Sequence, residues 1–215
     1  QPMVDPWVSL AAIAVATERI ILGPMVTPLA RRRVSVVARQ SVTLDRLAGG
    51  RVRLGVGLGA PDDEFTRFGE DADPKRRARI LDESLDALQL LWSGETVSYR
   101  GEHVVVDGVE FRPTPVHGRI PIWVAGGWPG GAPFRRAARF DGVWPVAKAA
   151  GYLSIEEFTD CVEAVRSFRN SSEPFDACFI DRSSADGDAE TSDKIGRLAE
   201  SGMTWWIDSL DDPII

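Results

Sequence analysis

Runs of consecutive aliphatic residues alternate along this chain with longer stretches in which an apolar residue returns every third or fourth position, the patterns of buried strand and amphipathic helix. Asp5-Pro6 opens the first helical stretch, because aspartate caps free amides and proline tolerates the first turn; the helix is predicted to run to about Thr17. Ile20-Ile21-Leu22 and Met25-Val26 follow as a short apolar run ending at Thr27-Pro28, the pattern of a strand buried on both faces. Val34, Val37, Ala38, Ser41 and Leu44 then share one helical face, and Gly49-Gly50 closes that helix as a left-handed cap. Val52 to Val56 is the next buried strand, and Gly55, Gly57 and Gly59 carry it into a loop rich in Asp and Glu. Asp73-Pro74 repeats the cap-plus-proline signal ahead of a long helix with Ile80, Leu81, Leu85, Leu88, Leu91 and Trp92 along one face.

Between Glu95 and Pro115 the period changes to two. Val97 and Tyr99, then Val104 and Val106, alternate as in strands, and a hairpin insertion is predicted with Asp107-Gly108 as its tight turn before Val109-Glu110-Phe111. Strand and helix then alternate again: strand Ile122 to Ala125, helix Ala132 to Arg139, strand Val143 to Val146. Ser154 and Glu157 form a capping box for a helix whose Phe158, Cys161, Val162, Val165 and Phe168 share a face. Strand Ala177 to Ile180, helix Asp193 to Ser201 and strand Thr204 to Ile207 complete the count. This alternation predicts an α/β fold with a parallel sheet and right-handed crossovers. Two closures satisfy it, a doubly wound open sheet and a TIM-type (β/α) barrel, which takes eight strands and typically about 250 residues. A chain that starts on a helix and ends on a strand has the order of a barrel without its first strand, first helix, second strand and last helix. One domain over residues 1–215, with residues 95–115 inserted, is expected.

Composition narrows the partners. At 215 residues and 44% hydrophobic the chain can build a core, and a net charge of -7 spread without a basic tract gives no electrostatic reason for nucleic acid or an anionic membrane. Cys161 and Cys178 lie in apolar segments without CxxC spacing, which predicts buried free thiols in a reducing compartment. No apolar run approaches ~18 residues, and the first residues lack the basic and apolar regions of a secretory signal. A soluble, cytoplasmic protein acting on a small molecule is expected.

In a parallel α/β protein the reactive site forms where strands run into the following loops, here Thr27-Pro28, Gly57-Leu58-Gly59, Gly126-Gly127, Trp144-Pro145 and the stretch after Ile207. Gly57 and Gly59 allow the backbone close to a flat ring, and equally close to a neighbouring strand. They are no dinucleotide fingerprint, because Gly55-x-Gly57-x-Gly59 lacks the third-glycine spacing and Pro61-Asp62-Asp63-Glu64 stands where a phosphate-receiving helix would begin. Gly126-Gly127 ends an apolar strand ahead of a loop, a short helix and Arg135-Arg136, an arrangement able to receive a phosphate; a solvated helix face is the other reading of the two arginines. Arg31-Arg32-Arg33 precedes a helix whose dipole opposes cations there, so the run implies a nearby anion or an exposed basic turn. His103 and His117 are expected at the surface, and Asp62, Asp63 and Glu64 in a solvated loop without a metal. Of the tryptophans, Trp144 ends a strand at the expected rim.

Asp5-Pro6-Trp7-Val8, Leu22-Gly23-Pro24-Met25-Val26-Thr27-Pro28-Leu29, Thr43-Leu44-Asp45-Arg46-Leu47-Ala48-Gly49-Gly50-Arg51 and Gly55-Val56-Gly57-Leu58-Gly59 resemble, in that order, the middle of the luciferase-like monooxygenase superfamily. Glu64-Phe65, Phe68-Gly69, Leu91-Trp92-Ser93-Gly94, Ile120-Pro121-Ile122-Trp123-Val124-Ala125-Gly126-Gly127 and Asp141-Gly142-Val143 continue the resemblance over nearly the whole chain. It implies a TIM-type barrel binding FMN or coenzyme F420 at its strand C-terminal ends, a hairpin-bearing insertion after the glycine-loop strand, and a homodimer. Carried to this sequence, it implies a cofactor phosphate near Ala125, Gly126 and Gly127 and a ring near Thr27, Pro28, Gly57, Leu58, Gly59 and Trp144. Hydride transfer to or from a small organic substrate follows, with oxygen insertion when reduced FMN meets O2.

The sequence also departs from that family. The first barrel strands, which in many members supply a catalytic histidine or acid, have no counterpart in it, so no catalytic residue is assigned. Ala60 stands where some F420-dependent members have a glutamate, and Leu58 where light-emitting members have an arginine. A noncatalytic or truncated flavin-binding relative with a structural or partner-binding role is the alternative.

Overall fold

The computed structural model describes residues 4–149, 151–183 and 189–209, and the chain forms two compact units, Gln1–Ile122 and Trp123–Ile215. In the first unit α1 (Pro6–Ala16) begins where the Asp5 carboxylate accepts the Val8 amide at 3.0 Å. It packs on α2 (Val34–Leu47), whose buried Val37, Ala38, Ser41 and Leu44 are the predicted face. Gly49 and Gly50, at φ 62° and 85°, turn the chain out of α2 as the sequence demanded.

The apolar run before Thr27 departs from expectation. Only Leu22 reaches the sheet, as an isolated bridge to Val52, while Ile20 is 48% exposed and Ile21 40%. The next strand, β1, is Thr27–Pro28, parallel to β2 (Leu54–Gly57) with Thr27 opposite Val56 and Pro28 opposite Gly57. Two glycines explain the interruption: a side chain on Gly23 would overlap the Arg53 carbonyl, and one on Gly55 the Pro24 carbonyl. The two segments cross at a distance that excludes side chains, and apolarity alone does not reveal where the ladder breaks.

Beyond β2 the acidic loop contains one helical turn, α3 (Asp63–Thr66), rather than irregular chain throughout. α4 (Pro74–Trp92) is capped by Asp73, whose carboxylate accepts from Lys75 N and Arg76 N. The insertion is an antiparallel hairpin in a sheet of its own, β3 (Thr96–Arg100) with β4 (Val105–Glu110). Its turn lies at Gly101 to Val104, closed by Gly101 N donating to Val104 O, and not at Asp107-Gly108. Asp107-Gly108 forms a bulge: the register jumps between Val97 and Tyr99, Gly108 takes φ 60°, and its amide donates to Ser98 Oγ. Turns and bulges both use a glycine at positive φ, so the dipeptide carried the right conformation and the wrong position.

Glu83 on α4 secures that turn. Its carboxylate accepts from Glu102 N at 3.0 Å, His103 N at 2.7 Å and Val104 N at 2.8 Å, and a side chain on Gly101 would overlap it. Burial opposes ionisation of Glu83, but the three amides outweigh it and hold the carboxyl below its ordinary value. A depressed acid stabilises the fold above its unfolded pKa, near 4.3, and that contribution disappears as pH falls through the folded value. Glu83→Ala is therefore expected to accelerate amide exchange at Glu102, His103 and Val104 at neutral pH by roughly tenfold or more, about 1.4 kcal/mol of local opening. Unchanged exchange at those amides would show that the turn holds itself.

The second unit continues along β5 (Ile122–Trp128), β6 (Gly142–Ala147), β7 (Asp176–Asp181) and β8 (Trp205–Asp208), each parallel to the next in chain order. α5 (Ala132–Ala137), α6 (Ile155–Phe168) and α7 (Ala189–Glu200) are the crossovers. α6 carries the predicted capping box, and α7 includes four residues ahead of the expected start at Asp193. Val124, Val143, Ala177, Cys178 and Phe179 are buried in this sheet, with Phe158 of α6 edge-on to Phe179 at 5.2 Å. Within each unit the parallel strands follow chain order, without the reversal that a doubly wound sheet requires.

Candidate functional site

In the first unit, Thr27 and Pro28 end β1 beside Val56 and Gly57 at the end of β2. Thr27 is 2% exposed, and among the described residues its Oγ1 has no hydrogen-bond partner. A buried hydroxyl without a partner is costly, and such a group in a native fold calls for a specific explanation. Gly57 is buried, and Leu58 and Gly59 are half-buried. Gly59 has φ 83°, and a Cβ there would stand 2.8 Å from both Phe65 Cζ and Pro28 Cβ, so close packing already requires this glycine.

Two arginines secure the loop after Gly59. Arg77, nearly fully buried, donates to Gly59 O at 3.3 Å and Asp62 Oδ1 at 2.5 Å, and its guanidinium lies 4.3 Å from the Phe65 ring centre. Arg31 pairs with Glu64 at 3.3 Å and Glu70 at 2.6 Å and lies 4.9 Å from the same ring. The anion inferred for the first arginine of the 31–33 run is thus supplied by the protein itself. Asp62, Asp63 and Glu64 are each spoken for by an arginine, Asp63 by Arg67. Among the described residues no three His, Cys, Asp or Glu side chains stand together as a metal site.

In the second unit the predicted phosphate strand runs further than expected. β5 continues through Gly126 and Gly127 to Trp128, pairing with Pro145, Val146 and Ala147, because backbone pairing does not need the apolar side chains from which the strand end at Ala125 was inferred. A side chain on Gly126 would overlap Pro133 in the first turn of α5, so packing accounts for that glycine. A Cβ on Gly127 would meet the flexible Lys148 side chain, 2.9 Å from its Cγ. Lys148 Nζ reaches within 3.7 Å of the corresponding position on Gly130. The cation beside this glycine turn is therefore Lys148, which sequence reasoning missed. Arg136 is buried, contrary to the solvated-face reading, while Arg135 lies 5.7 Å from the Phe168 ring centre.

Trp144 does not end its strand as expected, because pairing carries β6 three residues further to Ala147; it is half-buried, and among the described residues its buried Nε1–H has no acceptor. It lines a recess of about 190 Å³ with Tyr152, Leu153, Phe179 and Ile180. Polar residues end the last two strands: Asp181, which the sequence reading did not single out, and Asp208, which opens the stretch after Ile207 named from sequence, of which residues 210–215 lie outside the described residues. Asp181 of β7 pairs with Lys194, and Asp208 of β8 accepts from Ser183 Oγ and, at 2.9 Å, from Ser183 N. The Ser183 hydroxyl and amide hold the Asp208 carboxyl below its usual range. A polar residue closing an apolar strand was the signal available for both.

His117 is exposed, whereas His103 is half-buried against expectation, its Nε2 without a hydrogen bond and 3.5 Å from Glu102 Oε1. Asp45 accepts the Val116 amide at 2.7 Å in a buried setting that pushes its carboxyl up. Cys161 and Cys178 are free and buried; burial pushes the Cys161 thiol up to about 12 and that of Cys178 up as well, so neither is a thiolate at neutral pH. Among the described residues no helix is long and apolar enough to cross a membrane.

These elements define a parallel α/β protein with an unsatisfied hydroxyl at the end of β1, a glycine turn with a lysine after β5, and an aromatic recess beside β6. The chain belongs to the luciferase-like monooxygenase family, whose model matches residues 1–203. It is 32% identical over 200 residues to an uncharacterised protein of Mycobacterium tuberculosis, covering 93% of this chain and 67% of that protein. Over 123 residues it is 36% identical to the F420-dependent glucose-6-phosphate dehydrogenase of Nocardia farcinica, covering 56% of this chain but 36% of the enzyme. Its fold resembles the oxygenating constituent of 3,6-diketocamphane monooxygenase from Pseudomonas putida, solved with FMN, at a TM-score of 0.67 and 20% identity over 83% of this chain and 53% of that one.

Proposed function

We propose that this chain binds FMN or coenzyme F420 and acts as an oxidoreductase on a small organic substrate by hydride transfer. The observation that carries the proposal is the Thr27 hydroxyl, buried without a partner at the end of β1. Family membership and the two cofactors named for relatives support it. When bound, either cofactor supplies hydride chemistry at its ring system. The proposed roles of the protein's own residues are to hold and orient. In the first unit, Thr27 hydrogen-bonds a polar edge of the ring, and Pro28, Gly57, Leu58 and Gly59 wall it. In the second, Ala125, Gly126 and Gly127 lead to a turn where Lys148 neutralises the phosphate. Trp144 bounds the dry side, its Nε1–H available to an acceptor oxygen. The two free buried thiols support a cytoplasmic setting, and the homodimer implied by resemblance is the proposed assembly.

Thr27→Val tests the reading because its two expected effects have opposite signs. Removing an unsatisfied buried hydroxyl at nearly constant volume should leave stability equal or raise it by about 1 kcal/mol. The same change should weaken cofactor binding by roughly tenfold, about 1.4 kcal/mol. Titration of wild type and variant with FMN and with F420, followed by absorbance and fluorescence, gives the affinities, and urea melts give the stabilities. If the wild type binds either cofactor and Thr27→Val binds it equally well, the role of Thr27 is wrong. Should the wild type bind neither, the noncatalytic reading replaces this one.

A further inference from the structure

The first unit contains a cleft of about 650 Å³ between the start of α2, α4 and the hairpin. Five arginines line it, Arg31, Arg32, Arg33, Arg39 and Arg76, against one acid, Asp107, in a chain whose net charge is -7. Their partners differ. Arg31 is answered by Glu64 and Glu70, and Arg76 by Asp71 at 3.0 Å. Arg32 reaches the amide oxygen of Gln40, at 3.5 Å. Among the described residues Arg33 and Arg39 have no carboxylate partner; Arg39 lies 4.9 Å from the Phe111 ring centre, and Arg33 caps α2 without a side-chain hydrogen bond. Cations gathered at a helix N-terminus oppose its dipole, while the free amides of the first turn call for an acceptor. One anion answers both. Apart from Ser35, Ser84 and His103 the remaining walls are apolar, with Ile80, Leu91, Val106 and Phe111 among them, so a bare inorganic ion would leave much of the cleft unfilled.

We propose that this cleft binds an amphiphilic organic anion, an oxyanion head of the carboxylate or phosphate-monoester type on an aryl or short alkyl body. The head sits with Arg33, Arg39 and the first amides of α2, and the body lies along β4 and α4. Guanidinium forks match both heads in geometry and charge, and the apolar walls contribute what neither head provides. This site is independent of the cofactor proposal and stands or falls separately.

Calorimetric titration of the full chain with 1-naphthyl phosphate and 1-naphthoate tests it, with inorganic phosphate as the head alone and 1-naphthol as the body alone. One naphthyl anion per chain is expected, weakening with added salt, and each part alone should bind at least roughly tenfold more weakly. The tighter of the two anions identifies the head. Arg33→Gln/Arg39→Gln, at two exposed positions, should lose roughly tenfold or more, and Val106→Trp should lose binding by filling the cleft with every arginine intact. Arg67→Gln, 78% exposed and outside the cleft, should not change it. Circular dichroism and thermal melts confirm that the variants are folded. The proposal is overturned if neither naphthyl anion saturates, if inorganic phosphate binds as well as naphthyl phosphate, or if folded Val106→Trp binds like wild type.

Discussion

Replacing Arg51 with methionine is expected to lower stability by about 3 kcal/mol, the cost of removing a charged donor from several buried or half-buried acceptors. Its guanidinium donates to Ala14 O at 3.1 Å, Thr17 O at 2.8 Å, Thr17 Oγ1 at 3.3 Å, Ile20 O at 2.6 Å and Ala48 O at 2.7 Å. Two of those carbonyls close the C-terminus of α1, where a cation also meets the negative end of the dipole. Methionine preserves the apolar stem, so the loss reports the hydrogen bonds. Arg51→Lys should recover little, because one ammonium does not span five acceptors that a planar fork reaches from two sides. Urea denaturation of the three proteins gives the comparison, and a lysine variant within about 0.5 kcal/mol of wild type would show that charge alone matters. A domain of ordinary stability has about 5–15 kcal/mol to lose, which makes this side chain a substantial part of the total.

Gly126→Ala is the second large effect, expected to destabilise by about 2–3 kcal/mol, while Gly127→Ala costs under about 1 kcal/mol. The two glycines are adjacent in β5, and their surroundings differ in kind. A methyl group on Gly126 overlaps Pro133, a ring fixed in the first turn of α5; one on Gly127 meets Lys148, a side chain free to rotate away. Thermal melts separate them. The comparison also decides how to probe the proposed phosphate position: an aspartate at Gly126 damages packing before it meets any ligand, so Gly127→Ala and Lys148→Ala are the informative variants. Equal melting temperatures for the two alanine variants would mean that α5 shifts without cost, and packing would no longer account for Gly126.

These two predictions give the motifs that carried the family resemblance a physical content they lacked as sequence. In Asp45 to Arg51, Asp45 secures Val116, Gly49 and Gly50 supply positive φ, and Arg51 closes α1. This motif is architectural. In Gly55 to Gly59, Gly55 permits the crossing with Pro24, and Gly59 permits the approach of Phe65 and Pro28. A family's recurrent residues can thus mark its fold as much as its chemistry.

Periodicity, caps and strand-ending residues determined by themselves the order and type of most elements, since helix caps and apolar repeats are local properties readable within a few residues. The N-caps at Asp5, Asp73 and Ser154, the cap at Gly49-Gly50 and the parallel strands of both units were legible in this way. The hairpin's existence was legible, but its register was not. Whether Asp107-Gly108 turns or bulges depends on which residues of β3 it faces, and the Glu83 carboxylate holding the true turn lies 19 residues from its nearest amide partner. Only tertiary structure decided which charges were satisfied. Arg31 and Arg77 find acids across the loop, Arg33 and Arg39 find none among the described residues, and Lys148 emerges beside Gly127 because β5 and β6 are parallel neighbours. Pairing between distant residues depends on how the chain folds back, a property that no local pattern of apolar and polar positions contains.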